Sequence, residues 1–137
     1  MEEKIFLARV TEQAERFDDM VDFLIEAINL KSGEEFTIDE RNLLSVGFKN
    51  LIGSQRTAIR TIGAVEQNPK YTKYSVTLAD YKTKIQTELY NQCMKIVNVV
   101  NDKCLALSND DESKTFFYKM IGDYYRYVAE SASADKL

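Results

Sequence analysis

Apolar side chains recur every three or four residues along almost the whole of this 137-residue sequence, and a single proline, Pro69, interrupts them. That spacing is the signature of helices that bury one face. Alternating strand-like runs and two-residue hairpin dipeptides such as Asn-Gly are missing. The pattern predicts an all-α chain, an antiparallel helical array of five helices. At this length one core forms, so residues 1–137 are read as a single helical unit.

Two short helices come first, one built around Ile5, Ala8 and Val10 and one carrying Met20, Leu24, Ala27 and Ile28, ended by Lys31-Ser32-Gly33. Thr37 and Glu40, three residues apart, are spaced to satisfy the open N–H groups of a third helix, which is expected to run to about Asn68, before Pro69. The fourth is the clearest. Leu78, Tyr81, Ile85, Leu89, Cys93, Ile96, Val100, Cys104 and Leu107 form one stripe over roughly eight turns. Ser108-Asn109-Asp110-Asp111 supplies caps and negative charge for a fifth helix through Phe116, Met120 and Tyr124 to about Ser131, and the tail SASADKL reads as loop. Helices as long as the third and fourth, joined by short connections, are expected to lie antiparallel as neighbours. There is no internal repeat.

Composition narrows the function. Eighteen basic against twenty-two acidic residues leave a net charge of −4, a poor match to nucleic acid or an anionic membrane, so any anion site must be a local patch. Neither a secretory apolar segment nor a bilayer-length apolar run is present, which makes a cytoplasmic chain the expectation. Histidine is absent, removing His-based triads, His-containing zinc sites and the commonest general base. The two cysteines, Cys93 and Cys104, sit about 16 Å apart if they share a helix and are read as reduced thiols. No cofactor, metal site or catalytic set is expected, and the chain is read as a non-enzyme.

The basic residues are patterned. Arg56 and Arg60 each point within about 20° of Lys49 at 100° per residue, so three cations share a face of the third helix. Lys119 and Arg126 repeat the seven-residue interval on the fifth helix, with the hydroxyl of Tyr127 beside Arg126. Two readings stay open on spacing alone. The stripes converge on one dianion, with paired guanidinium donors matching phosphate oxygens, or they are solvated charges on helix backs. Asp123, three residues before Arg126, either steadies that guanidinium or makes an ordinary surface pair.

Longer segments carry more. RNLLSVGFKNLIG (41–53), AERFDDM (14–20) and FYKMIGDYYRYVAE (117–130) resemble signature segments of the 14-3-3 proteins, in order and at matching spacing over essentially the whole chain. The resemblance implies the N-terminal half of a nine-helix fold and a phosphoserine- or phosphothreonine-dependent adaptor that binds phosphorylated client proteins in a basic amphipathic groove. It implies Lys49, Arg56, Arg126 and Tyr127 as the phosphate-binding set, with Arg60 and Lys119 lining the groove. It further implies a homodimer, or a heterodimer with related chains, through the N-terminal helices. Val10, Ala14, Ile62, Val65 and Tyr81 would be the apolar contact, and Arg16 would pair with Glu88 and Asp19 with Lys84 across the interface. The alternative is a helical dimerisation or scaffold fragment without competent phosphopeptide binding, because roughly half the family fold is not present.

Three positions depart from the family pattern: Gln55 stands where an arginine is usual, Ile59 where many members carry tryptophan, and Ala58 where many carry a serine whose phosphorylation loosens the dimer. That control would be absent. The half fold is also expected to leave the apolar side of the fifth helix, including Phe116 and Met120, partly uncovered.

Overall fold

The computed structural model describes residues 2–31 and 33–134, with the side chains of 133 and 134 excepted. Five α-helices follow in order: α1 Glu2–Gln13, α2 Phe17–Leu30, α3 Ile38–Glu66, α4 Ser75–Val99 and α5 Asp111–Ala134. A short 3-10 helix, Pro69–Tyr74, leads into α4, and a π-helical stretch, Val100–Cys104, closes it. There is no strand among the described residues.

The boundaries have local causes. α3 starts at a reciprocal cap: Glu40 N donates to Thr37 Oγ1 at 3.1 Å, and Thr37 N donates to Glu40 Oε1 at 2.7 Å. Such a box is worth about 1 kcal/mol. α5 starts at Asp110, whose Oδ1 accepts from Ser113 N at 2.7 Å. Glu35, in the α2–α3 connection, accepts from the backbone N–H groups of Asn109 and Asp110, so the start of α5 is tied to the loop before α3. The turn after α2 passes through Gly33 at φ 76°, a left-handed conformation that favours glycine. Ser32, assigned to that turn from sequence, lies outside the described residues.

α1 packs on α2, α2 on α3, α3 on α4 and α4 on α5, with a further contact between α3 and α5. Lys82 at the start of α4 pairs with Glu66 at the end of α3 at 2.7 Å, and Gln86 Nε2 donates to the Ser131 carbonyl near the end of α5 at 3.1 Å. α4 is therefore antiparallel to both, which makes α3 and α5 parallel to each other. The α2–α3 contact is close: a Cβ on Gly47 would stand 2.5 Å from Leu24 Cδ1 and 3.1 Å from Met20 Cε. One core runs through the array, with Met20, Leu24, Phe48, Ile52, Leu89 and Phe117 among its fully buried members.

Four expectations change. The α4 stripe is buried only from Leu89 to Cys104. Gln86 is level with the end of α5, so the turns of α4 before Thr83 project beyond it, leaving Tyr81 52% exposed. The stripe also does not stay α-helical to Leu107, since Val100–Cys104 widens to a π-turn. α5 continues through Ser131 to Ala134, where a loop was expected; Asp135, Lys136 and Leu137 of the predicted tail lie outside the described residues. Met120 is buried in the core and Phe116 is half-buried, and the large apolar side chains that α5 leaves exposed are Tyr118 and Tyr125. Cys93 and Cys104 are free thiols in the core, and burial pushes both up to about 12.

Candidate functional site

The parallel course of α3 and α5 sets up the site. Two contacts fix their register: Arg41 Nη2 reaches Glu112 Oε1 at 3.4 Å, and Arg60 Nη2 reaches Glu130 Oε1 at 3.1 Å. These pairs are 71 and 70 residues apart in sequence. Lys49 and Lys119, and likewise Arg56 and Arg126, share the 70-residue interval, so the heptad-spaced cations on the two helices come level as rungs. The helical spacing seen in sequence becomes a two-sided basic face only because the helices are parallel.

Tyr127 joins the two sides. It is 7% exposed, and its ring takes the Arg56 guanidinium carbon at 4.1 Å from the centroid and that of Arg126 at 5.3 Å. A cation over an aromatic face is attracted by the ring quadrupole, more strongly where water is excluded. Tyr124 packs edge-on against Tyr127 with centroids 5.5 Å apart and fixes that ring from the core side. A cavity of about 130 Å³ opens next to it, and its lining includes Ser45, Lys49, Lys119, Asp123 and Tyr127.

The six residues singled out as phosphate-binding or groove-lining thus belong to one face. Lys49, Lys119 and Tyr127 line the cavity, Arg56 and Arg126 flank the tyrosine ring, and Arg60 adjoins Arg56 through a shared carboxylate. That carboxylate, Glu130, was not singled out from sequence. Both its oxygens accept from Arg56 Nη2 at 3.2 Å, and Oε1 also accepts from Arg60 Nη2. Desolvation raises its carboxyl, but the bonds from Arg60 and Arg56 outweigh that and hold it below the ordinary glutamate value. Asp123 pairs with Arg126 within α5 at 3.5 Å.

This arrangement suits binding an anion. Five cations stand against two carboxylates, and Arg56 Nε is buried without an acceptor among the described residues, so donor capacity is in excess. Among those residues no three acidic or cysteine side chains are grouped to hold a metal ion. Cys93 lies close enough to Arg56 to feel its charge, but burial dominates and keeps the thiol protonated.

The residues assigned to a subunit contact lie elsewhere. Val10, Ala14 and Arg16 are exposed around the α1–α2 corner, with Asp19 beside them. Tyr81, Lys84 and Glu88 are exposed on α4, near half-buried Ile62 and Val65 at the end of α3. Within the single chain Arg16 Nε donates to Asp19 Oδ2 at 2.6 Å, so these two charges satisfy each other.

Fold and site define an all-helical chain with a basic face between two parallel helices. A sequence profile of the family described as 14-3-3 protein matches residues 7–137. A 14-3-3-like protein of Helianthus annuus is 42% identical over 139 residues, covering 98% of this chain and 54% of the relative. A 14-3-3-like protein of Fucus vesiculosus is 42% identical over 132 residues (96% and 52%), and a 14-3-3 protein homolog of Candida albicans 42% over 138 residues (98% and 52%). The chain belongs to the 14-3-3 family. It spans about half the length of the curated relatives it matches.

Proposed function

We propose that this chain is a phosphoserine- and phosphothreonine-dependent adaptor, which receives phosphorylated segments of client proteins between α3 and α5 and pairs with a second copy or a related chain. Lys49, Arg56, Arg126 and Tyr127 hold the phosphate, and Arg60 and Lys119 line the groove beside it. The observation that carries this reading is Tyr127, whose ring collects a guanidinium from each helix. A phosphoryl group carries about two negative charges and three acceptor oxygens, which two arginines and a lysine can match while an unphosphorylated hydroxyl cannot. The work is binding, with no bond made or broken.

Pairing is supported by where the contact residues fall. The α1–α2 patch and the α3–α4 patch are separate surfaces of one chain, as a two-fold contact requires when each copy offers both halves. Val10, Ala14, Ile62, Val65 and Tyr81 supply its apolar part. Arg16 exchanges Asp19 for Glu88 of the second copy, and Asp19 takes Lys84, so the charges select register more than they add affinity. No helix among the described residues is long and apolar enough to cross a membrane, and the net charge of −4 disfavours nucleic acid. We place the protein in the cytoplasm.

The test is fluorescence polarisation of a labelled phosphoserine peptide and its unphosphorylated twin against the 137-residue chain, with its mass measured in solution. Binding of the phosphorylated peptide alone supports the adaptor reading. A well-folded dimer that binds neither makes the chain a dimerisation or scaffold module.

A further inference from the structure

Glu130 belongs neither to the cations nor to the core, yet its carboxylate sits on two of the arginines. Both oxygens accept from Arg56 Nη2 at 3.2 Å, and Oε1 accepts from Arg60 Nη2 at 3.1 Å. We infer that Glu130 is an internal competitor of the bound phosphate: it occupies Arg56 and Arg60 in the unliganded chain, yields the Arg56 donor when a phosphoryl group arrives, and so sets the affinity of the site. The inference rests on the phosphate reading of the α3–α5 face and adds to it the group the ligand must displace.

The alternative role for such a carboxylate is a bracket that keeps the arginines in place, and three observations favour competition. First, Arg56 is held without it. Its guanidinium lies over the Tyr127 ring at 4.1 Å and its side chain is only 25% exposed, so packing on α5 fixes it when the carboxylate leaves. Second, Glu130 is 45% exposed, and Arg60 more so. Ion pairs this wet contribute little net free energy, because water and salt already compensate both charges, so a better-matched anion displaces them readily. Third, α5 repeats the device. Asp123 lies seven residues before Glu130 on the same helical face and occupies Arg126 at 3.5 Å. Each arginine of the proposed phosphate pair therefore has a carboxylate on it before any ligand binds.

Charge balance gives the same answer. An unliganded face of five converging cations repels itself, and carboxylates on α5 relieve that repulsion. A phosphoryl dianion relieves it better, since it brings three acceptor oxygens and about twice the charge of a carboxylate to the same donors. Two kinds of anion then draw on one set of donors. Removing the internal one leaves more donor capacity for the external one.

Glu130→Gln tests this, since it keeps the shape and removes the charge. Polarisation of a labelled phosphoserine peptide and its unphosphorylated twin is measured for the wild-type chain and the variant, with inorganic phosphate as displacing ion and circular dichroism as the folding control. The variant is expected to bind the phosphopeptide about two- to fivefold more tightly, the range that weak, partly exposed ion pairs permit. The twin gains nothing. Asp123→Asn provides a second variant with a smaller gain, because Arg126 is more exposed and its pair longer. A wild-type chain that prefers the phosphopeptide, paired with an E130Q variant that binds it equally or less tightly, overturns the inference alone. A wild-type chain with no preference overturns the phosphate reading and the inference with it.

Discussion

Between α3 and α5, charged side chains are held by contacts that cross from one helix to the other: Arg56 lies on the ring of Tyr127, and Glu130 reaches over to Arg56 and Arg60. Around the α1–α2 corner the arrangement is local. Arg16 bonds Asp19 three residues away, while Val10 and, on α4, Tyr81 face outward with apolar surface uncovered. One region is assembled by the folding of a single chain, and the other carries groups that a single chain does not assemble. This difference implies that the proposed anion binding and the proposed pairing are separable, and substitutions can be chosen to break one and spare the other.

The largest effect is expected from Arg56→Ala with Arg126→Ala. Losing both guanidinium groups should weaken phosphopeptide binding by more than about 100-fold, each charge-assisted pair being worth roughly 1.5–3 kcal/mol. The mass in solution should not change, and dissociation of the double variant into monomers would show that the two regions are coupled. The opposite cut is Val10→Asp with Tyr81→Asp, which places charge of one sign on both halves of the apolar part of the proposed contact. Sedimentation should show self-association weakened at least about tenfold, since each buried charge costs more than the 1.4 kcal/mol that a tenfold change represents. Phosphopeptide affinity per chain should stay within about twofold on the same scale.

A finer test uses Tyr127→Leu, which keeps an apolar side chain in the core and removes the ring that collects the guanidinium groups. Phosphopeptide affinity should fall about three- to tenfold, in line with the strength of partly buried cation–π contacts. Self-association should be untouched.

The smallest effect is a pH dependence. Partial burial raises the Glu130 carboxyl, but the bonds from Arg60 and Arg56 bring it below the ordinary 4.5. A depressed carboxyl contributes stability that is fully present above the unfolded value and lost as pH falls through the folded one. The melting-temperature difference between wild type and E130Q should therefore be constant above about pH 5 and shrink below pH 4.5, as the wild-type carboxylate takes up its proton. With Glu130 45% exposed, solvent screening keeps the whole effect below about 1 kcal/mol.

The sequence was most legible where structure depends on near neighbours. The Thr37–Glu40 box and the start of α5 behind Asp110 are written within a turn or two of chain, and both formed as expected. It was less legible where a distant element decides. The stripe on α4 does not say how far α5 reaches, so the exposure of Tyr81 could not be read from it. Met120 and Tyr118 lie two residues apart on α5, and their fates depend on which side meets α3 and α4.

The site shows the same division. Seven-residue spacing revealed that Lys49 and Arg56 share a face, as do Lys119 and Arg126, but left open whether the faces meet. Resemblance to a family pointed to convergence, and the register of two parallel helices supplies its physical basis. Glu130 was missed although a signal existed, since it follows Arg126 by four residues, the spacing of a pair within one helix. The structure spends it across the gap on α3 instead, leaving Arg126 to Asp123.

The central claim is that arginines from two different helices grip one phosphoryl group. The most direct measurement is an NMR titration of the arginine side-chain Nε–H signals of the 137-residue chain with a phosphoserine peptide and its unphosphorylated twin. The account predicts that Arg56 and Arg126 shift together, with the same midpoint, for the phosphorylated peptide alone. A phosphopeptide that binds while shifting only one of them, or neither, would contradict it.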